Sequence, residues 1–136
     1  MDVPSGTPIT VPVLNGPDIR LRPFRREDAA WVYYVSLDPE LRRRLSLPDP
    51  YHRWHARYFV DEIAIASART GEGADFVIED PDTEIGLGWL GFHHRHGTEV
   101  ACGFWLAADA RGRGLMLQAL RVGCRWALAR IRPASG

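Results

Sequence analysis

A glycine-rich turn between a strand and a helix constrains this chain more than any other feature. Residues 99–107 have the apolar and aromatic composition of a strand, and residues 113–130 have helical periodicity. Residues 111–114, Arg-Gly-Arg-Gly, join them. Glycine lets the backbone approach a ligand closely, and the first N–H groups of a helix have no intrahelical partner. The turn therefore predicts an anion site that suits a diphosphate; the alternative is a tight turn with two solvated arginines.

The remaining segments predict an α+β (mixed α/β) domain. Three successive strands are expected over 74–79, 84–92 and 99–107, and the short turns between them favour antiparallel hairpins. Because strands and helices do not alternate simply, we expect a mostly antiparallel sheet flanked by helices. Before them we expect short strands over 9–14 and 19–24, helices over 27–37 and 54–69, and a short helix or loop over 39–50.

Two regions are expected along the chain, a tail with an edge hairpin over 1–18 and a single domain over 19–136. The chain has no apolar run of roughly 18 residues and no signal peptide, so we expect a cytoplasmic protein without membrane contact. All 17 basic residues are arginine, which excludes a lysine nucleophile. The 17 acidic residues bring the net charge to zero, which argues against nucleic acid as a partner. Six arginines and no acid in 111–136 indicate a local anion site or a solvated helix face.

The turn does not match two well-known phosphate-binding motifs, the P-loop and the dinucleotide-binding fingerprint. The chain has no P-loop sequence, and the turn lacks the third glycine of a dinucleotide fingerprint. Over residues 19–130 the chain resembles the GNAT acetyltransferases, in the branch of the ribosomal-protein N-terminal acetyltransferases. The matching segments, in order, are Ile19–Phe24 with Glu27–Ala29, Ile85–Gly86, Gly103–Leu106 and Arg111–Met116. The last of these fits the acetyl-CoA diphosphate loop, Arg/Gln-x-x-Gly-x-Gly/Ala, with Met116 at the final position.

The resemblance implies acetyl-CoA as co-substrate and assigns its contacts. The backbone of Phe104, Trp105 and Leu106 would pair with the pantetheine arm as another strand does. Arg111 or Arg113 would meet further phosphate. The diphosphate would be held by the N–H groups of Gly112, Arg113, Gly114, Leu115 and Met116.

The implied activity is transfer of an acetyl group to an amine, on a small molecule or at a protein N-terminus. An ammonium group must lose a proton before it can attack a thioester, so a base is required. This branch usually has a glutamate where this chain has Ala101. Glu99, two residues earlier on the same strand face, is our candidate base; the alternative is an exposed carboxylate at a hairpin end.

The resemblance also implies further strands and a helix after 113–130, which this sequence, ending at 136, does not contain. We therefore expect a domain incomplete at its C-terminus, with an open sheet edge through which a homodimer would form. Two alternatives stay open. One is a catalytically weak module that binds CoA or another protein, and the other is a domain that only pairs through its open edge.

Three histidines, His93, His94 and His96, lie close together in the sequence. No cysteine or carboxylate clusters with them, so an exposed hairpin is favoured over a metal site, and no metal is expected.

Overall fold

A computed structural model describes residues 6–94 and 99–130 of the chain. Five strands form one sheet in the order β1-β2-β3-β4-β5, and every neighbouring pair is antiparallel. The strands are β1 (Leu14–Asn15), β2 (Arg20–Pro23), β3 (Gly73–Glu79), β4 (Gly86–His94) and β5 (Val100–Leu106). This architecture confirms the predicted mixed α/β fold with a mostly antiparallel sheet.

The helices lie on the two faces of this sheet. They are α1 (Ala29–Val35), α2 (Pro39–Leu45), α3 (Arg53–Tyr58), α4 (Ala66–Thr70) and α5 (Leu115–Arg130). On one face α5 packs closely, because a β-carbon at Gly123 would lie 2.6 Å from the Leu90 side chain. The core on that face includes Leu21, Phe76 and Leu90. The other face packs Val77 against Val32 of α1 and the segment after α3.

The helix expected over 54–69 is not one regular helix. A π-helical segment, Phe59–Ile65, lies between α3 and α4, so the helical path runs from residue 53 to residue 70 with a change of geometry in its middle. Gly71, at a φ of +79°, ends the path close to the expected end at residue 69. Val60 and Ala64 of the π-helical segment are both buried in the core on the sheet face opposite α5.

Two expectations near the N-terminus are wrong. The strand expected over 9–14 forms only at Leu14–Asn15, because the Ile9 N–H bonds the Ala68 carbonyl of α4 at 2.8 Å instead of a strand. In the strand expected over 19–24, Arg20 and Arg22 alternate with Ile19, Leu21 and Pro23, the pattern of a half-buried strand, yet Arg22 on the polar side is only 5% exposed. The turn expected between the strands over 84–92 and 99–107 falls largely on residues 95–98, which lie outside the described residues.

A buried ion-pair network explains Arg22. Its guanidinium donates to Asp28 at 2.7 and 3.0 Å and to Glu79 at 2.6 Å. Burial alone would raise the pKa of Asp28, but hydrogen bonds from Arg22, the Arg25 N–H and the Trp31 indole outweigh it and lower that pKa. Three elements, β2, β3 and the turn before α1, are joined at this point.

Candidate active site

The turn between β5 and α5 has the backbone geometry of an open cradle. Gly112 and Gly114 adopt φ values of +76° and +73°, which other residues rarely accept. A β-carbon built at either glycine meets no atom within 4 Å. The space above both glycines is therefore open, and a side chain at either position would project into it.

The N–H groups of this turn are available to a ligand. Among the hydrogen bonds of the described residues, none is donated by the main-chain N–H of Gly112, Arg113 or Gly114. The first N–H groups of α5, from Leu115 onward, also lack intrahelical partners. Successive unpaired N–H groups at a helix N-terminus favour an anion, since the helix dipole is positive there.

The two arginines of the turn have different surroundings. Arg111 donates from Nε to the Leu106 carbonyl at 3.1 Å, and its terminal nitrogens bond Asp38 at 3.1 Å and Glu40 at 3.2 Å. Its guanidinium thus holds the turn against the end of β5 and the start of α2. Arg113 is exposed beside the open glycines and forms no ion pair with the rest of the described chain. Of the two, Arg113 is the arginine free to meet a phosphate.

Strand β5 is the edge of the sheet among the described residues, since it pairs there with β4 alone. In an antiparallel ladder, the N–H and C=O groups of alternate residues point away from the partner strand. Such groups between Phe104 and Leu106 are open to an extended ligand or to another strand, except the Leu106 carbonyl, which accepts from Arg111 Nε. Phe104 itself is 47% exposed. The homodimer expected through this edge stays a prediction.

A mostly apolar cavity of about 310 Å³ lies on the sheet face opposite α5, beside β5. Its floor includes Trp89 of β4 and Trp105 of β5, which are paired across the two strands. The other lining residues are Val32, Ser36, Leu45, Leu47, Pro48, Tyr51, His55, Tyr58, Phe59 and Ile63. Its lining, among the residues that the structure describes, contains no carboxylate and no arginine. The cavity therefore suits an uncharged or apolar group.

A buried carboxylate organises the same sheet face nearer the start of β5. Asp75 of β3 is 1% exposed and accepts hydrogen bonds from the Ser67 hydroxyl, from Trp89 Nε1 at 2.7 Å and from His93 Nε2 at 2.9 Å. The hydrogen bond to Asp75 raises the pKa of His93 although burial opposes it. His93 was expected in an exposed hairpin; its side chain is 30% exposed and fixed on β4, because β3 supplies the carboxylate.

Comparison with known proteins decides the family. A family model described as an acetyltransferase (GNAT) domain matches residues 18–134. The chain belongs to the GNAT acetyltransferase family. The resemblance predicted from the sequence is thereby confirmed. No protein of curated function matches the sequence.

Solved structures of GNAT acetyltransferases share this fold. The GNAT acetyltransferase from Bacillus anthracis superposes with a TM-score of 0.70 at 16% identity, over 87% of this chain and 67% of its own. Mycobacterium smegmatis RimJ, in complex with CoA-disulfide, superposes with a TM-score of 0.70 at 24% identity. The match covers 93% of this chain and 65% of RimJ. A third structure is an acetyltransferase from Salmonella typhimurium that modifies the N-terminal serine of a ribosomal-subunit protein. It superposes with a TM-score of 0.67 at 18% identity, over 87% of this chain and 69% of its own. These likenesses establish the fold.

The predicted site residues of this GNAT domain lie at the two ends of β5. The cradle follows its C-terminal end, whereas Glu99 precedes its first residue and is exposed. Glu99 precedes Leu106 by seven positions, roughly 24 Å of extended strand. Ala101 is paired with His93 across the β4–β5 ladder. The structure thus keeps Glu99 apart from the cradle and places His93 opposite Ala101.

Several residues of the site were missed by sequence reasoning. Asp38 and Glu40 hold Arg111, and Asp75 holds His93, but each partner is distant along the chain. The apolar cavity gave no signal because its lining comes from many separate segments. Within 6–94 and 99–130, no three histidine, cysteine or acidic side chains are grouped closely enough to hold a metal; His96 lies outside that part. Over the same residues, no helix has the length and apolarity to cross a membrane.

Proposed function

We propose that this GNAT domain transfers the acetyl group of acetyl-CoA to a primary amine, and that a protein N-terminus is its acceptor. The observation that carries the proposal is the cradle ahead of α5. Two glycines with positive φ, open space above them and unpaired N–H groups at a helix N-terminus form a site for a diphosphate. Acetyl-CoA contains a diphosphate, and the GNAT family uses it as acetyl donor.

The residues fit the donor along its length. The N–H groups of Gly112 through Met116 would hold the diphosphate, with Arg113 free to add charge beside it. The outward N–H and C=O groups of Phe104 to Leu106, apart from the Leu106 carbonyl held by Arg111, would pair with the amide-containing pantetheine arm. Arg111 has a different role in this proposal. It fixes the turn through Leu106, Asp38 and Glu40 and does not reach for phosphate.

The acceptor would occupy the sheet face that carries the cavity. Trp89 and Trp105 present apolar surface there, so the cavity would take the side chain or neighbouring residue of the acceptor. A protein N-terminus is favoured because the similar Salmonella typhimurium enzyme modifies an N-terminal serine. The lack of carboxylates among the described lining residues argues against a polycationic acceptor.

The proton of the acceptor ammonium must be removed before the nitrogen can attack the thioester carbonyl. Glu99, the candidate base from the sequence, is exposed at the start of β5 and stays a prediction. The cytoplasmic location likewise stays a prediction.

A transfer assay with lysine-free peptides tests the proposal directly. Each peptide has its N-terminal amine as the only amine, and a matched peptide already acetylated at the N-terminus is the control. With acetyl-CoA and the protein, we expect release of CoA thiol and a gain of one acetyl group in the free peptides alone. Thiol release that is equal with the blocked peptide, or no acetylated product from any free peptide, would contradict the proposal.

A further inference from the structure

A histidine on β4 has the hydrogen-bonding arrangement of a general base. Asp75 Oδ1 accepts from both His93 Nε2 and Trp89 Nε1, while Oδ2 accepts from the Ser67 hydroxyl. A carboxylate only accepts hydrogen bonds, so Nε2 of the neutral His93 ring must carry the hydrogen. The lone pair is therefore on Nδ1. Within the described residues, Nδ1 has no hydrogen-bond partner.

The His93 ring lies toward β3, where a β-carbon at its partner Gly73 would be 3.0 Å from Cγ. Its side chain is fixed from behind by Asp75 yet remains 30% exposed. On the other side, toward the open edge of the sheet, His93 is paired with Ala101, which has only a methyl side chain. Alternate residues of a strand share one face, so His93 lies on the same side of the sheet as Trp89.

The Trp89 indole connects the histidine to the cavity. It lines the cavity, and its Nε1 shares Asp75 Oδ1 with His93. Between these two residues, Gly91 and its β5 partner Gly103 have no side chains, and the indole lies over Gly103, where a β-carbon would be 2.7 Å from its ring. His93 and the Trp89 indole, which lines the cavity, thus share one carboxylate on the same face of β4.

We propose that His93 is the general base of the acetyl transfer and that Asp75 is its positioning residue, an inference that rests on the function proposed above. Nδ1 of His93 takes one proton from the acceptor ammonium, and the freed lone pair of the amine forms the new N–C bond at the acetyl carbonyl. The C–S bond of the thioester breaks, and the departing sulfur takes the second proton of the attacking nitrogen. The products are the amide and CoA thiol, and the His93 imidazolium then releases its proton to water.

Asp75 also has a structural effect, because its bond to Ser67 joins α4 to the sheet. Loss of activity on substitution would therefore not be enough evidence for a base. The test needs readouts that a structural role would not change, namely the pH profile and rescue by a small base.

The pH profile is set by the charges around His93. Asp75 on β3 bonds it directly, and Glu72, in the turn before β3, adds a second negative charge. Both raise the pKa of His93 above its ordinary value of 6.5, against the effect of burial. We expect kcat/KM to fall on the acid side of this raised pKa, with a midpoint that does not follow the pKa of the acceptor.

The experiment compares His93→Gln and His93→Ala with His94→Gln, the matched control. His94 is the next residue of β4, is exposed and points to the opposite face. We expect His93→Gln to lower kcat about 100-fold or more while the KM for acetyl-CoA is unchanged. In His93→Gln the acid limb, the fall of kcat/KM at acid pH, should disappear. Added imidazole should restore part of the activity of His93→Ala. His94→Gln should behave as the wild type.

Two results would overturn the assignment. One is a folded His93→Gln protein that keeps the wild-type rate and acid limb, particularly if Glu99→Gln loses both. The other is a rate loss in His93→Ala that imidazole does not relieve. A wild-type chain that transfers no acetyl group would contradict the proposed function itself and is recognised before any variant is made.

Discussion

Arg111 Nη2 lies 3.1 Å from Asp38 Oδ2, which joins the turn ahead of α5 to the start of α2 across 73 residues of sequence. Asp38 is also the N-cap of α2, since its other carboxylate oxygen accepts from the Glu40 N–H at 3.1 Å. One carboxylate thus fixes both a helix end and the arginine of the turn. The cradle is shaped by a contact that the local sequence does not contain.

We expect Arg111→Gln to destabilise the protein. The variant loses two partly exposed ion pairs and the bond to the Leu106 carbonyl, which together are worth about 1–2 kcal/mol. Urea unfolding should show the lower free energy, and CoA affinity should fall because the turn is less well fixed. Unchanged stability would contradict the anchoring role of Arg111.

Arg113→Gln should lower CoA affinity without destabilising the protein, in contrast to Arg111→Gln. Arg113 is exposed and unpaired within the described chain, so the free energy of unfolding should change by less than about 0.5 kcal/mol. CoA affinity should fall about fivefold to tenfold, and the difference from the wild type should shrink in high salt, because the charge acts through an exposed site. Calorimetric titration with CoA at two salt concentrations measures the affinity and its salt dependence, and urea unfolding measures the stability. Equal affinities at low salt would show that Arg113 does not contact phosphate.

The buried network around Arg22 predicts a pH dependence of stability. The folded-state pKa of Asp28 is below its ordinary value of 3.8, so Asp28 stabilises the fold above that value and loses this effect as pH falls through the folded pKa. Asp28→Asn should be less stable at neutral pH by about 3 kcal/mol, since Arg22 loses a buried ionic partner. When unfolding is measured from pH 7 to about pH 2, the free energy of unfolding should fall less in the variant than in the wild type. Parallel curves would contradict this account.

The cavity predicts a specific effect on the acceptor. Tyr58 lines it and Tyr34 does not, although both rings are largely exposed. Tyr58→Ala should raise the KM for a peptide acceptor about tenfold, or roughly 1.4 kcal/mol, with CoA affinity unchanged. Tyr34→Ala is the matched control and should leave both unchanged. A KM that responds equally in the two variants would place the acceptor elsewhere.

The sheet could be predicted because its signals are local. The strands around 74–79, 84–92 and 99–107 combine strand-forming residues with short turns, and the turn ahead of α5 contains its own glycines and arginines. Each of these features is set by neighbours in sequence. The structure therefore has them close to the expected positions.

The rest of the site depends on distant partners. His93 is next to Asp75 only because β3 and β4 pair, with Asp75 opposite Gly91, and this register cannot be derived from either residue alone. The burial of Arg22 likewise depends on Asp28 and Glu79, which are 6 and 57 residues away along the chain. The π-helical segment between α3 and α4 was not predicted, because residues 54–69 have the composition of one amphipathic helix.

The most direct test of the account is acetyl-CoA binding to the wild type, Gly114→Asp and Gly6→Asp, measured by calorimetry with folding checked by circular dichroism. Gly6 is the matched control, an exposed glycine that also has positive φ, where an added β-carbon would have no neighbour closer than 3.9 Å. We predict micromolar binding by the wild type and Gly6→Asp, and its loss in a folded Gly114→Asp, whose carboxylate would enter the diphosphate site. A folded wild type that does not bind, or unchanged affinity in Gly114→Asp, would contradict the central claim.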